Sequence, residues 1–157
     1  MKKKTWKVYT FWILLAEGVG ALSGWLSRNG MKAYETAITQ PPLSPPSWIF
    51  PIVWGILYAL MGIGAARVWL APRDIHRSRS LNLFIVQLIV NFFWSLIFFN
   101  ARAYGFAFLW LLILLFFVIW MTFCFWKTDK LSGILQIPYI LWLLFAAYLN
   151  FAIWQLN

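Results

Sequence analysis

Residues 104–126 read YGFAFLWLLILLFFVIWMTFCFW, a run of 23 residues without a charged side chain. An α-helix needs roughly 20 apolar residues to cross the hydrocarbon core of a bilayer. A soluble domain of 157 residues could not remove so many large apolar side chains from water, whereas a membrane can. The stretch therefore predicts a transmembrane helix.

Four more stretches on either side reach the same length, and they cover residues 8–27, 48–70, 81–101 and 134–156. The span at 81–101 could be merged with the one at 104–126, but Asn100-Ala101-Arg102 and Gly105 form a polar, flexible interruption. We place a tight turn there. The sequence thus predicts an all-α integral membrane protein, a single domain built as a bundle of five transmembrane helices.

The composition excludes several other classes of protein. The chain is 63% hydrophobic, 21% aromatic and 11% charged, which fits neither an ordinary soluble domain nor a disordered chain. Its net charge of +9 would normally suggest nucleic-acid binding. We expect no nucleic-acid partner, because the basic residues lie between apolar runs and form no single patch.

The sequence contains few of the residues on which enzyme chemistry usually depends. The single Cys124 excludes an intramolecular disulfide, and without a histidine inside the membrane it is better explained as a small buried hydrophobe than as a nucleophile. We find no metal-ligand cluster, phosphate-binding glycine loop or Ser/His/Asp set. The sequence therefore predicts neither a metal nor a cofactor.

Loop charges predict the orientation of the chain. The amino terminus and the second and fourth loops carry ten Lys and Arg residues, whereas the first and third loops carry three. Because basic loops stay in the cytoplasm, we expect a cytoplasmic amino terminus and a carboxyl terminus on the opposite face. The basic start also resembles a signal peptide, but Glu17 interrupts its apolar region and no convincing cleavage site precedes Arg28. We therefore expect a retained first helix.

The first loop, residues 28–47, is the one sizeable segment outside the predicted spans, and residues 41–46 read PPLSPP. Each proline fixes its own φ and biases the preceding residue toward extended geometry, so this segment should be stiff. Two interpretations are open. The loop could cover the mouth of the bundle as a lid, or it could be a spacer that stops the second span from extending backward.

Polar and aromatic residues recur on one face of three spans. Gln87, Asn91 and Ser95 follow a spacing of four in the third span and therefore share a face. The corresponding faces of the second and fifth spans carry Phe50, Trp54 and Tyr58, and Tyr139, Trp142, Ala146 and Asn150. Polar groups inside a membrane need a partner or a cavity. They could bond helix to helix, at about 0.6 kcal/mol each, or they could converge on an aromatic ligand cavity.

Glu17 lies near the middle of the first span, with Gly20 and Gly24 on the same face. This glycine spacing permits close approach of another helix. The carboxyl group should be neutral and hydrogen-bonded, paired with a cation, or placed in a wet cavity, because an isolated charge in hydrocarbon is unfavourable. We favour the neutral, hydrogen-bonded form.

The twelve tryptophans divide by depth. Half lie near span ends, as the interfacial preference of tryptophan explains. Of the deeper ones, Trp54, Trp94 and Trp142 fall on the inward faces. Large flat rings around a cavity suit a large flat ligand by stacking and apolar burial. This favours a planar macrocycle or a sterol over an ion or a sugar.

Several motifs together resemble one known family, the translocator proteins or tryptophan-rich sensory proteins, also called peripheral benzodiazepine receptors. The resemblance covers nearly the whole chain. The motifs are Pro41–Trp48, Val53-Trp54-Gly55, Leu57–Gly62, Gln87-Leu88, Asn91, Phe98-Phe99, Ala101-Arg102, Pro138-Tyr139, Leu141-Trp142, Phe145-Ala146 and Leu149-Asn150.

The resemblance implies a five-helix bundle in a membrane, here a bacterial cell membrane, and usually a homodimer. Family members bind porphyrins and haem, cholesterol in animals, and synthetic benzodiazepine-type ligands, in a pocket beneath the first loop. Carried over by position, the pocket residues are Tyr34, Pro45, Trp54, Tyr58, Asn91, Trp94, Trp142 and Ala146. The leading hypothesis is therefore a receptor or carrier for a porphyrin-type tetrapyrrole.

Two alternatives remain open. Some bacterial members degrade protoporphyrin in light, which would make Trp54 and Trp142 the reactive pair of an enzyme. The chain could also be a structural membrane protein without a small ligand. Two departures from the family pattern matter here. Leu43 stands where many members have tryptophan. Near the carboxyl end, Leu149, Phe151 and Gln155 do not complete the animal sterol pattern, and this lowers the expectation of sterol binding.

Overall fold

The computed structural model describes residues 2–157, with side chains from Lys4 onward, and the described chain is helical with no strand. The predicted all-α class is confirmed. The elements are α1 (Lys2–Leu26), α2 (Arg28–Ala37), α3 (Ile49–Trp69), α4 (Ile75–Ser95), a π-helical turn (Leu96–Asn100), α5 (Tyr104–Thr128), α6 (Lys130–Ile134) and α7 (Ile137–Leu156).

Four helical segments of the described chain are long and apolar enough to cross a bilayer, so the protein is an integral membrane protein. They are Ile49–Trp69, Ile75–Asn100, Tyr104–Thr128 and Lys130–Leu156. α1 has 25 residues, which is long enough, but it is not among the four because Glu17 and its lysines make it less apolar. The structure thus gives four apolar spans where the sequence predicts five.

Three helix starts show how local chemistry sets the boundaries. α4 begins at Ile75 rather than at residue 81, because the carboxylate of Asp74 accepts the backbone N–H of Arg77 at 2.8 Å and caps the helix. Pro51 and Pro138 lie in the first turns of α3 and α7. Proline removes no intrahelical hydrogen bond in a first turn, so neither residue interrupts a helix interior.

The predicted first loop contains α2, a ten-residue helix that the sequence analysis did not anticipate. Its sequence, RNGMKAYETA, has no long apolar run and resembles a polar connection. The described chain then becomes irregular from Thr39 to Ser47, as the prolines there predict. A short helix and an irregular segment with a turn at Pro42-Leu43 therefore occupy residues 28–47.

The bundle is packed unevenly along its length. α1 lies against α3 and α4, α4 against α5, and α5 against α7, whereas α2 lies against the π-helical turn. The half remote from α2 is densely packed, and five of its large side chains are fully buried: Met61, Phe84, Val118, Phe125 and Leu143. The half next to α2 is open between α3 and α7, so the space for a ligand lies at that end.

An ion pair links two elements at the densely packed end of the bundle, remote from α2. Arg67 at the end of α3 binds Asp129 through two hydrogen bonds, Nε–Oδ2 at 2.7 Å and Nη2–Oδ1 at 3.3 Å. Asp129 also accepts the backbone N–H of Ser132 at 3.1 Å and caps α6. The carboxylate thus joins α3 to the turn between α5 and α6.

We expect Asp129→Asn to lower the free energy of unfolding by about 1 kcal/mol at pH 7, because the ion pair is partly exposed and asparagine keeps the cap. The hydrogen bond from Arg67 lowers the pKa of Asp129. The stabilisation is therefore present above the unfolded pKa of about 4 and is lost as the pH falls through the folded pKa. Thermal unfolding in neutral detergent between pH 3 and pH 7 measures both effects.

Asp74→Asn is the matched control. It also exchanges a capping carboxylate for an amide, but it leaves the pair between Arg67 and Asp129 intact. This variant should keep the acid-dependent loss of stability that Asp129→Asn reduces. Equal pH profiles for the two variants would contradict the role of the ion pair.

Candidate ligand-binding cavity

A cavity of about 540 Å³ lies at the α2 end of the bundle, enclosed by α1, α2, α3, α4 with its π-helical turn, and α7. α5 contributes no residue to its wall, which agrees with the apolar composition of that helix. The aromatic part of the wall consists of Tyr34, Phe50, Trp54, Tyr58, Trp94, Phe98, Phe99 and Trp142. The faces inferred from helical periodicity therefore meet around a cavity.

Seven of the eight residues implied by the family resemblance line this cavity, namely Tyr34, Trp54, Tyr58, Asn91, Trp94, Trp142 and Ala146. Pro45 does not line it, although Ser47 in the same segment does. The structure also adds wall residues that the sequence analysis missed, among them Met31 and Glu35. Residues 31, 34, 35 and 38 follow the spacing of one helical face, a signal that could have revealed α2.

The inner end of the cavity is closed by a chain of buried hydrogen bonds. Tyr58 Oη donates to Asn91 Oδ1 at 2.7 Å, and Asn91 Nδ2 donates to Tyr139 Oη at 2.6 Å. Tyr139 Oη in turn donates to Gln87 Oε1 at 2.8 Å. Gln87 and Asn91 thus make the helix-to-helix bonds of the first interpretation, and Asn91 also lines the cavity. The polar stripe therefore makes helix-to-helix bonds and also borders a cavity, whose ligand stays a prediction.

Two hydrogen bonds hold the wall at α4. Trp94 Nε1 donates to Asn150 Oδ1 at 3.1 Å, and Asn150 Nδ2 donates to the carbonyl oxygen of Tyr104 at 2.8 Å. The Trp94 ring also stacks on Phe98, with centroids 5.1 Å apart. Because its polar atom and its face both have partners, this indole is a fixed part of the wall.

Trp142 on α7 differs from Trp94 in one respect that matters for binding. Its indole N–H is buried and has no hydrogen-bond partner, although its ring packs edge-on against Phe50 at 5.8 Å. A buried donor without a partner is unfavourable. The Trp142 ring therefore belongs to the cavity wall, while its indole N–H stays unpaired behind it.

α2 and the residues after it cover the outer end of the cavity. The Tyr34 ring contacts Phe98 and Phe99 at 5.7 and 5.4 Å, and burial raises the pKa of its hydroxyl. Asn157 at the end of the chain pairs with both backbone groups of Thr39, at 3.1 and 3.2 Å. The structure therefore supports the lid interpretation of the first loop.

The wall residues that can carry a charge near neutral pH are all acidic. Glu17 and Glu35 line the cavity, and no Lys, Arg or His does among the described residues. Glu35 is exposed at the α2 end, whereas Glu17 Oε1 is buried without a hydrogen-bond partner. The structure places Glu17 in the cavity wall, with one carboxyl oxygen that has no hydrogen-bond partner. The neutral, hydrogen-bonded form stays a prediction.

Comparison with known proteins agrees with this arrangement. The TspO/MBR family profile matches residues 12–155, which is most of the chain. The chain belongs to the TspO/MBR family. The resemblance inferred from its motifs is thereby confirmed.

Relatives from bacteria and animals match over most of their lengths. Protein CrtK of Rhodobacter capsulatus is 38% identical over 80% of this chain and 79% of the relative. The tryptophan-rich protein TspO of Chlorobaculum tepidum is 34% identical over 91% of both chains. The human translocator protein is 32% identical over 91% of this chain and 86% of the relative. Membership of this family supports a role as a membrane receptor or carrier.

Proposed function

We propose that the protein is a membrane receptor or carrier that binds a porphyrin-type tetrapyrrole in the cavity beneath α2. The observation that carries the proposal is the set of rings from α3, α4 and α7 around one cavity of about 540 Å³. Such rings bury and stack against a flat apolar ligand. The size and the few polar groups are typical of a small-molecule site. Haem, sterols and benzodiazepine-type ligands are further candidates, since each carries a large apolar ring system.

The proposal includes α1 as a fifth transmembrane helix. At 1.5 Å per residue its 25 residues extend about 37 Å, more than the hydrocarbon thickness of about 30 Å. α1 packs along α3 and α4, and its acidic residue Glu17 lies in the cavity wall. The membrane that we propose is a bacterial cell membrane, and the loop charges favour an amino terminus in the cytoplasm. The lid then faces away from the cytoplasm.

A homodimer is also part of the proposal. α5 exposes a row of large apolar side chains, including Phe106, Leu109, Phe116 and Phe123, and contributes nothing to the cavity. Such a surface would contact lipid or a second copy of the chain. The bilayer and a tetrapyrrole are the other partners that we expect, and we expect no nucleic acid.

Light- and oxygen-dependent degradation of a porphyrin is a second candidate function. It is favoured by one observation, the presence of both Trp54 and Trp142 in the same cavity wall. An indole stacked on an excited porphyrin could pass an electron to it. Loss of the porphyrin absorption band under illumination, absent in a Trp54→Phe, Trp142→Phe variant, would support this activity. A purely structural protein would need no such cavity, so that alternative is supported least.

Titration of the detergent-solubilised protein with protoporphyrin tests the leading proposal. We expect quenching of tryptophan fluorescence and a shift of the porphyrin absorption band. In the Trp54→Phe, Trp142→Phe variant the affinity should fall by about tenfold, because both indole rings lose stacking area against the ligand. The control is Trp6→Phe, Trp25→Phe, which removes two exposed rings outside the wall and should leave the affinity unchanged. Equal affinities for both variants would contradict the assigned cavity.

A further inference from the structure

We propose that the densely packed end of the bundle binds an anionic phospholipid, and that a basic cluster of Arg79, Lys127 and Lys130 holds its phosphodiester group. The inference is independent of the cavity, which lies at the α2 end. It starts from the distribution of charge. Residues 67–79 and 127–130 carry six Lys and Arg residues and two aspartates, whereas residues 28–47 and 101–103 carry three Lys and Arg residues and one glutamate. Such a concentration of basic residues at one membrane face attracts anionic lipids.

The two aspartates at this end do not neutralise the basic cluster. Asp129 forms the ion pair with Arg67, and Asp74 caps α4 through the backbone N–H of Arg77. The three side chains of the cluster are exposed, and no carboxylate of the described chain pairs with them. One guanidinium and two ammonium groups are therefore available to an external anion. Charge-assisted hydrogen bonds from such groups to phosphate are among the stronger polar contacts that proteins make.

The basic cluster lies where α4 and α5 meet. The residues that directly follow Arg79 and Lys127 are in contact, because the hydroxyl oxygens of Ser80 and Thr128 lie 3.3 Å apart. Arg79 and Lys127 also both interact electrostatically with the Cys124 thiol, which places the two charges near one part of this contact. The third cation follows at the first residue of α6. Cations on neighbouring helix ends can act together on one phosphodiester.

Aromatic rings beside the basic cluster provide a surface for acyl chains. Lys127 Nζ lies over the Phe123 ring, 4.6 Å from its centroid, and Lys130 Nζ lies over the Trp126 ring at 5.1 Å. Both rings are exposed. The ammonium groups therefore lie at the boundary between the apolar surface of α5 and water, which is the depth of lipid headgroups. Apolar surface that continues directly into cations favours a lipid over a free phosphate.

The charge of the headgroup decides which phospholipid the cluster prefers. Phosphatidylglycerol presents a phosphodiester with a neutral glycerol, whereas phosphatidylcholine adds a trimethylammonium group that the cluster repels. When both lipids have the same acyl chains, the ratio in which they bind measures the effect of the cluster alone. This ratio should fall as the ionic strength rises, because salt screens charges at the surface.

Native mass spectrometry of the full chain in neutral detergent tests the inference. The protein is incubated with equal concentrations of phosphatidylglycerol and phosphatidylcholine that have the same acyl chains, and the ratio of the two bound lipids is measured. At low ionic strength, we expect the wild-type protein to bind phosphatidylglycerol about tenfold more than phosphatidylcholine. In the triple variant Arg79→Gln, Lys127→Gln, Lys130→Gln, the preference should fall to about twofold or less.

The matched control is the triple variant Arg28→Gln, Lys32→Gln, Arg102→Gln. It removes the same number of positive charges, but at the α2 end. The two triple variants have equal net charge, so only the position of the lost charges differs between them. The control should keep the preference for phosphatidylglycerol. If the first triple variant does not fold, Lys127→Gln alone replaces it, with an expected loss of preference of about threefold.

Several outcomes would overturn the inference. One is equal binding of the two lipids by the wild-type protein, and another is a preference that both triple variants keep or lose together. Displacement of phosphatidylglycerol by inorganic phosphate at constant ionic strength would indicate a site for a free anion instead of a lipid. The spectra also separate monomer from dimer. If only the monomer shows the preference, a second copy of the chain covers the cluster, and the lipid is not its occupant. None of these results bears on the cavity, which the protoporphyrin titration tests separately.

Discussion

Replacing Gly55 by leucine is expected to lower the affinity for protoporphyrin by about tenfold or more, equivalent to about 1.4 kcal/mol of binding free energy. Gly55 lines the cavity between Trp54 and Tyr58, and a Cβ atom built on it meets no atom within 4 Å. The leucine side chain would therefore enter free space that the ligand needs. The shift of the porphyrin absorption band during titration measures the affinity.

Gly18→Leu is the control for this substitution. Gly18 also has no atom within 4 Å of an added Cβ, but it is exposed on α1 and does not line the cavity. This variant should bind protoporphyrin as the wild-type protein does. Both variants should keep their thermal stability, since an added Cβ atom meets no neighbour at either position. Unchanged affinity in Gly55→Leu would place the ligand outside this cavity.

Replacing Gly62 by alanine is expected to lower the free energy of unfolding by about 1–3 kcal/mol. Gly62 lies where α3 crosses α1, and an added Cβ would lie 2.5 Å from the Cα atom of Ile13. A flexible side chain could adopt another rotamer to relieve this overlap, but the backbone of α1 cannot. The two helices must therefore move apart. Helix association in membranes depends on close van der Waals contact, which this separation removes. Thermal or denaturant unfolding in detergent measures the loss.

Gly55→Ala on the same helix is the matched control. Its methyl group meets no atom within 4 Å, and alanine is a better helix former than glycine by up to about 1 kcal/mol. This variant should therefore be as stable as the wild-type protein or slightly more stable. If both alanine variants have the same free energy of unfolding, the close approach of α1 and α3 at Gly62 does not limit stability.

Much of the candidate site could be predicted from single helices. Gln87, Asn91 and Ser95 share a face because of the helical period, and the cost of burying amides in hydrocarbon indicated that this face points inward. The structure places Gln87 and Asn91 in the buried core. Trp54 and Trp142 were placed on inward faces by the same argument, and both line the cavity.

Other parts of the site could not be predicted, because they depend on short or irregular segments. α2 is too short and too polar to be recognised by hydropathy, and only the spacing of its residues along one helical face indicates it. Its contribution of Met31, Tyr34 and Glu35 to the wall depends on how it packs. The π-helical turn has no sequence signal that we identified, but it places Phe98 and Phe99 against Tyr34. The family resemblance implies that Pro45 lines the pocket, but the fold of residues 39–47 leaves it outside the wall.

The amino-acid sequence by itself determined that this chain is a helical membrane protein with aromatic and amide residues on its inward faces. Hydropathy and periodicity are local properties, so each helix carries that information alone. Only the tertiary structure decided which polar atoms pair with each other and which remain free. Asn91 Nδ2 donates a hydrogen bond to Tyr139 Oη, whereas Glu17 Oε1 and the Trp142 indole N–H have no hydrogen-bond partner. That outcome depends on how the side chains of α1, α3, α4 and α7 are positioned relative to one another along the bundle, which no single helix specifies.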